Sequence, residues 1–204
     1  MSRLSEKLND LFAQEKWTEA RAQIEKEVAK RGEADHWLLT RLSTTYYEKR
    51  QYKKALQLLE QARPLAPECP LVLWDYAGTL DALGRSREAI EVYLDLIQRD
   101  AKSIAVEECG EGLAWAIGLL TDCFYRISVC LKHLHRTQEA LRFLGWYAGL
   151  VDTGAQSIYA EDQDQVVKHK LEVLREQTGT SPSRSVLKRL KEFSKEAERL
   201  LHAA

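Results

Sequence analysis

Residues 37–67 read WLLTRLSTTYYEKRQYKKALQLLEQARPLAP, and the fold is decided in this stretch. Apolar and small residues fall at Leu39, Leu42, Ser43 and Tyr46 and then, past a polar turn, at Ala55, Leu59 and Ala62, with Ala66-Pro67 after them. Steps of three and four residues put each set on one helical face, so the stretch reads as two amphipathic helices joined by a turn. Pro67 cannot continue a helix and closes the second one. The pattern returns at a fixed distance. Ala89 stands 34 residues beyond Ala55, preceded by Leu73, Tyr76, Ala77 and Leu80 and followed by Tyr93 and Ile97. Ala140 lies 51 residues beyond Ala89, seventeen more than one period, between Phe124, Ile127, Ser128 and Leu131 on one side and Leu144 and Tyr147 on the other. Upstream, Leu4, Leu8, Leu11 and Phe12, Trp17 at a turn, and then Ala20 and Ile24 form a degenerate first copy, 35 residues ahead of Ala55.

A period in this range means stacked supersecondary units, none of which buries its apolar stripe alone. Small residues at Ser43, Ala77 and Ser128, and at Ala55, Ala89 and Ala140, let the two helices of each hairpin approach closely. Gly84-Arg85-Ser86 breaks the third hairpin after its first helix. Composition agrees with an all-helical chain: four prolines and ten glycines punctuate 204 residues, and the apolar share of 45% is ample for a continuous core.

At nearly every signature position the stretch around Ala55 resembles the tetratricopeptide repeat. The resemblance implies an all-α, right-handed solenoid of about four helical hairpins with C-terminal capping helices, and a protein-binding function without catalysis. The expected array covers 1–176, with repeats at 1–34, 36–69, 70–102 and 103–154 and a capping helix at 161–176. A linker, 177–184, follows, built on Thr178-Gly179-Thr180-Ser181-Pro182-Ser183, and then an amphipathic helix, 185–204, with Val186, Leu187, Leu190, Phe193, Ala197, Leu200 and Leu201 on one side. That last helix is expected to dock on the array; self-association through its stripe and partner binding are the alternatives.

The seventeen extra residues lie between Asp100 and Thr121. Their apolar positions continue in alternating steps of four and three from Val106 through Gly110, Leu113, Ile117 and Leu120 to Leu134. This predicts one long first helix for the fourth repeat, from about Ser103 to Leu134, about 45 Å at 1.5 Å per residue. Gly110, Gly112 and Gly118 each weaken such a helix by up to about 1 kcal/mol, so a kink or break near Gly118 is the competing expectation. Gly149, Asp152, Thr153 and Gly154 are read as a loop.

In the family the first helices line a concave groove. By register, its walls here carry Trp37, Arg41, Thr44 and Tyr47 from the second repeat, Leu71, Trp74 and Asp75 from the third, and Asp122, Tyr125, Arg126 and Val129 from the fourth. The rings of Trp37, Tyr47, Trp74 and Tyr125 are the expected anchors, because large rigid side chains bury much area at small entropic cost. Arg41 and Arg126 are the expected grips on a carboxylate or on backbone carbonyls. The same rings packing against a neighbouring repeat is the competing reading. Relatives that hold the acidic tail of chaperones use a set of Lys, Asn and Arg. The matching places here hold Ser5, Asn9, Arg41, Leu71 and Asp75 in one frame, and Thr40, Thr44, Asp75, Asp122 and Arg126 in the other. Each frame keeps one match and Asp75 repels a carboxylate, so that activity is not expected.

Thirty Lys and Arg nearly cancel 31 Asp and Glu, so no whole-chain field points to nucleic acid or to an anionic membrane. Without a signal-like apolar run at the start, a cytoplasmic location is expected. Cys69, Cys109, Cys123 and Cys130 show no paired spacing and read as small buried hydrophobes. Lys132-His133-Leu134-His135 beside Cys130 does not converge as a metal site on a helix, and Glu107, Glu108 and Glu111 read as the charged start of one. No catalytic residues, metal or cofactor are expected. The expected function is a protein-binding adaptor taking a peptide or helix of a protein partner in its groove. A cytosolic chaperone for an aggregation-prone or secreted client, or a self-assembling structural subunit (a homo-oligomer through the last helix), is the alternative.

Overall fold

The computed structural model describes residues 3–155, and every regular element among them is an α-helix. The expected capping helix, linker and final helix lie outside the described residues. The chain divides into two compact units, Met1–Arg85 and Ser86–Ala204, so the third expected repeat contributes one helix to each.

The first unit holds α1 (Arg3–Ala13), α2 (Trp17–Arg31), α3 (His36–Tyr47), α4 (Tyr52–Leu65) and α5 (Pro70–Ala82). Consecutive helices pack on one another, and α3 also packs on α5. Leu8, Ala20, Ile24 and Leu38 form a fully buried cluster, against which Leu4, Leu11, Phe12, Val28, Trp37 and Leu42 pack. Ser43, Ala55, Ala62 and Ala77 are buried, as close helix approach requires. Asp35 caps α3, its Oδ1 accepting from the Leu38 N–H at 2.7 Å. Pro70 opens α5, where its missing N–H removes no helical bond.

The second unit holds α6 (Ser86–Ile97), α7 (Ala101–Ala105), α8 (Leu113–His133) and α9 (Thr137–Asp152); α6, α7 and α9 all pack on α8. Residues 116–124 of α8 are buried without interruption. The helix is long and apolar enough to cross a membrane, yet 61% of its most apolar window is buried inside the protein, and it serves as the core helix of this unit.

One turn geometry recurs at four helix ends. Glu15, Arg50, Gly84 and His135 all have positive φ, between 54° and 80°, and each stands five residues ahead of the small alanine of the next helix. In each turn the N–H of that residue donates three residues back, to Phe12, Tyr47, Asp81 and Lys132 respectively. The following N–H donates five back, to Leu11, Tyr46, Leu80 and Leu131, at 2.8–2.9 Å. This is the Schellman pattern, which satisfies the last carbonyls of a helix. Only the third turn uses glycine for it.

Two expectations are corrected. The long helix from Ser103 to Leu134 does not form: α7 ends at Ala105 and α8 begins at Leu113. The reason is backbone geometry at two glycines. A Cβ on Gly110 would lie 2.6 Å from the Ala105 carbonyl oxygen and 2.7 Å from that of Ile104, so only glycine lets the chain pass the end of α7. Gly112 adopts φ 90° and ψ 178°, a region open essentially to glycine alone, and starts α8. Gly118, the place considered for a break, sits buried within α8. An ion pair between Arg99 and Glu107 ties the new loop to the end of α6. Gly149 is the second correction, since α9 runs through it to Asp152 and ends at Thr153 and Gly154.

Candidate partner-binding faces

In the first unit α3 and α5 bring the predicted residues of two repeats onto adjoining helices. The Arg41 guanidinium carbon lies 5.6 Å from the Trp37 ring centre and 5.8 Å from that of Phe12 on α1. A cation near the negative faces of two rings gains about 0.5–1 kcal/mol from each and loses rotamer freedom before any ligand arrives. The Thr44 hydroxyl lies 3.1 Å from the Thr40 carbonyl and 3.2 Å from Asp75 Oδ2, so its single proton links α3 to α5 or stays within α3. Trp74 is half-buried on α5, next to Asp75. A cation on α3, and a carboxylate and indole surface on α5, are therefore carried by adjoining first helices of this unit. Such a face offers donors, acceptors and apolar area to an extended or helical segment.

The remaining predicted residues of this unit are placed differently. Trp37 is partly buried and packs on the Leu8 cluster, so one edge of its ring belongs to the core. The Tyr47 ring stacks edge-on against Tyr52 at 5.2 Å and braces the start of α4. Leu71 is buried, a correction to its place on an open groove wall.

In the second unit the predicted residues lie on α8. Asp122 is 0% exposed, which corrects its assignment to a groove surface. Its Oδ2 is 3.7 Å from Nε of Arg126, one turn on, whose side chain is 21% exposed. A carboxylate carried into the interior needs such a partner. Tyr125 stacks on Tyr147 of α9 at 5.3 Å, and Val129 is half-buried. Beside them Tyr93 of α6 is fully buried, and its hydroxyl has no hydrogen-bond partner among the described residues. Burial pushes its phenol well above the ordinary range, with the Arg126 charge acting against that rise. Burial likewise raises the Cys123 thiol. This interior polar group was not predicted; the signal was the four-residue spacing of Asp122 and Arg126, which puts opposite charges on one helical face.

All four cysteines are buried. His133 and His135 are exposed, while Cys130 is buried. Of the three glutamates before α8, Glu107 is held by Arg99, and Glu108 and Glu111 are exposed.

Residues 46–108 match the family model described as tetratricopeptide repeat, from the last turn of α3 to the loop ahead of α8. Over that segment the chain is similar to tetratricopeptide repeats. Repeats of this kind generally mediate protein–protein interaction and are typically non-catalytic. No curated protein matches the chain.

Proposed function

We propose that this tetratricopeptide-repeat chain is a non-catalytic adaptor that binds a peptide or helix of a protein partner on its first-helix faces. The observation that carries the reading is the α3 and α5 face of the first unit, where Arg41 lies near two aromatic rings and the Thr44 and Asp75 side chains meet at the helix junction. A site that holds its polar groups in place before binding loses less entropy when the partner arrives. Trp74 supplies the apolar anchor and Arg41 the cation. In the second unit Arg126 and Tyr125 are the corresponding groups on α8, with the Arg126 charge shared with Asp122.

Affinity capture with mass spectrometry, run in parallel on the wild type, Trp74→Ala and Arg41→Ala, tests this. A partner that disappears from both variants, while their thermal midpoints stay within a few degrees of wild type, supports the reading. Unchanged capture by both folded variants overturns it.

A further inference from the structure

A second surface of the first unit, at the α3–α4 turn, is not used by the face described above. Glu48-Lys49-Arg50-Gln51-Tyr52-Lys53-Lys54 holds four cations against one carboxylate, in a chain whose formal charge is −1. Lys49, Arg50, Lys53 and Lys54 are all exposed, and none of them enters an ion pair among the described residues. Arg21 of α2 joins them from the side. Its guanidinium carbon lies 3.7 Å from the Tyr46 ring centre, while Lys54 Nζ lies 5.5 Å from the same ring. Arg21 is further fixed by donating from Nε to Thr45 Oγ1 at 3.2 Å and from Nη2 to the Thr45 carbonyl at 3.0 Å.

Two like charges thus share one aromatic ring. Attraction to the ring, about 0.5–1 kcal/mol each at an exposed site, is of the same order as their mutual repulsion near water. Arg21 and Lys54 are thus held beside one ring with no ion pair to a carboxylate among the described residues, and Arg50 is fixed at the turn by its left-handed backbone. Tyr46 and Tyr52 are half-buried beside them, adding ring surface to the charge.

We propose that this edge docks an acidic, extended segment of a protein partner, its carboxylates against Lys49, Arg50, Lys53, Lys54 and Arg21. Charge complementarity selects the class of partner and speeds the encounter. A peptide fits better than a duplex, because the patch spans a single hairpin turn and the chain as a whole has no net positive charge.

The test uses the full chain and a fluorescein-labelled octaglutamate peptide, read by fluorescence anisotropy at 50 and 300 mM salt. Saturable binding is expected at 50 mM and strong weakening at 300 mM, where charges are screened within a few ångströms. The double variant Lys53→Glu with Lys54→Glu is expected to lose about tenfold or more in affinity, and Lys53→Ala with Lys54→Ala to lose less; Trp74→Ala should bind as wild type. Absence of saturable binding at 50 mM, or full affinity in both folded double variants, overturns the proposal. So does a loss confined to Trp74→Ala, which moves the peptide to the first-helix face. A labelled 20-base-pair DNA duplex bound more tightly than the peptide under the same salt also overturns it. Failure here leaves the first-helix reading standing, since the two surfaces respond to different variants.

Discussion

Replacing Gly110 by alanine tests the break between α7 and α8 by its sign. The added Cβ would meet the Ala105 and Ile104 carbonyl oxygens at 2.6 and 2.7 Å, whereas ordinary contact begins near 3.4 Å. Both obstacles are backbone, at the end of a helix whose Ile104 carbonyl accepts from the Glu107 N–H, so neither yields without moving α7 or the loop. Overpacking of this kind costs about 1–3 kcal/mol. Lower entropy of the unfolded chain returns about 0.4–1 kcal/mol. The net expectation is a loss of about 1–2 kcal/mol, or about 2–8 °C in thermal midpoint for a chain of this size. Gly149→Ala is the internal control. It lies within α9 with nothing within 4 Å of the new methyl, so it should gain about 0.5–1 kcal/mol from helix propensity alone. Urea unfolding followed by circular dichroism at 222 nm compares the two. If Gly110→Ala stabilises as Gly149→Ala does, no steric break separates α7 from α8, because that is the behaviour of one continuous helix through this region.

The left-handed turns make a second, independent set. His135 is a non-glycine residue at φ 57°, so His135→Gly should gain about 0.5–1 kcal/mol, the relief of backbone strain less the added chain entropy, while Gly84→Ala at φ 80° should lose a similar amount; urea midpoints report both. Arg126→Ala leaves the buried Asp122 carboxylate without this partner and should cost about 3–5 kcal/mol, part of it recovered by adding Asp122→Asn, as a double-mutant cycle will show. Tyr93 has a folded-state pKa raised by burial, so its contribution to stability is intact below the ordinary phenol value near 10 and is lost as pH rises toward the folded value. Tyr93→Phe should reduce that alkaline loss in urea titrations at pH 8 to 11, and should cost little at neutral pH because the hydroxyl makes no hydrogen bond among the described residues.

The hairpins were legible because their signals are local. Small residues at Ser43, Ala55, Ala77 and Ala89 recur where helices must approach, and Gly84 and Pro67 mark the ends. The α7–α8 break was hidden for a physical reason. Apolar spacing runs on through Val106 and Leu113, yet Val106 is 85% exposed and the decisive residues, Gly110 and Gly112, act through backbone clearance and φ rather than through any side chain. Left-handed turns at Glu15, Arg50 and His135 carry no glycine to announce them. Among the candidate site residues, register placed Trp74, Asp75, Arg41 and Thr44 on first helices, where they lie. Register alone does not say that Asp122 is buried beside Arg126, that Tyr125 stacks on Tyr147, or that Trp37 shares its ring with the Leu8 cluster. Those outcomes depend on tertiary neighbours.

Binding of a protein partner along the first helices is best measured by hydrogen exchange with mass spectrometry on the full chain, with and without the partner obtained by capture. Slower exchange on binding is expected in peptides covering residues 36–47 and 70–82, with residues 56–65 of α4 unchanged. Protection confined to α4, with α3 and α5 unaffected, would contradict it.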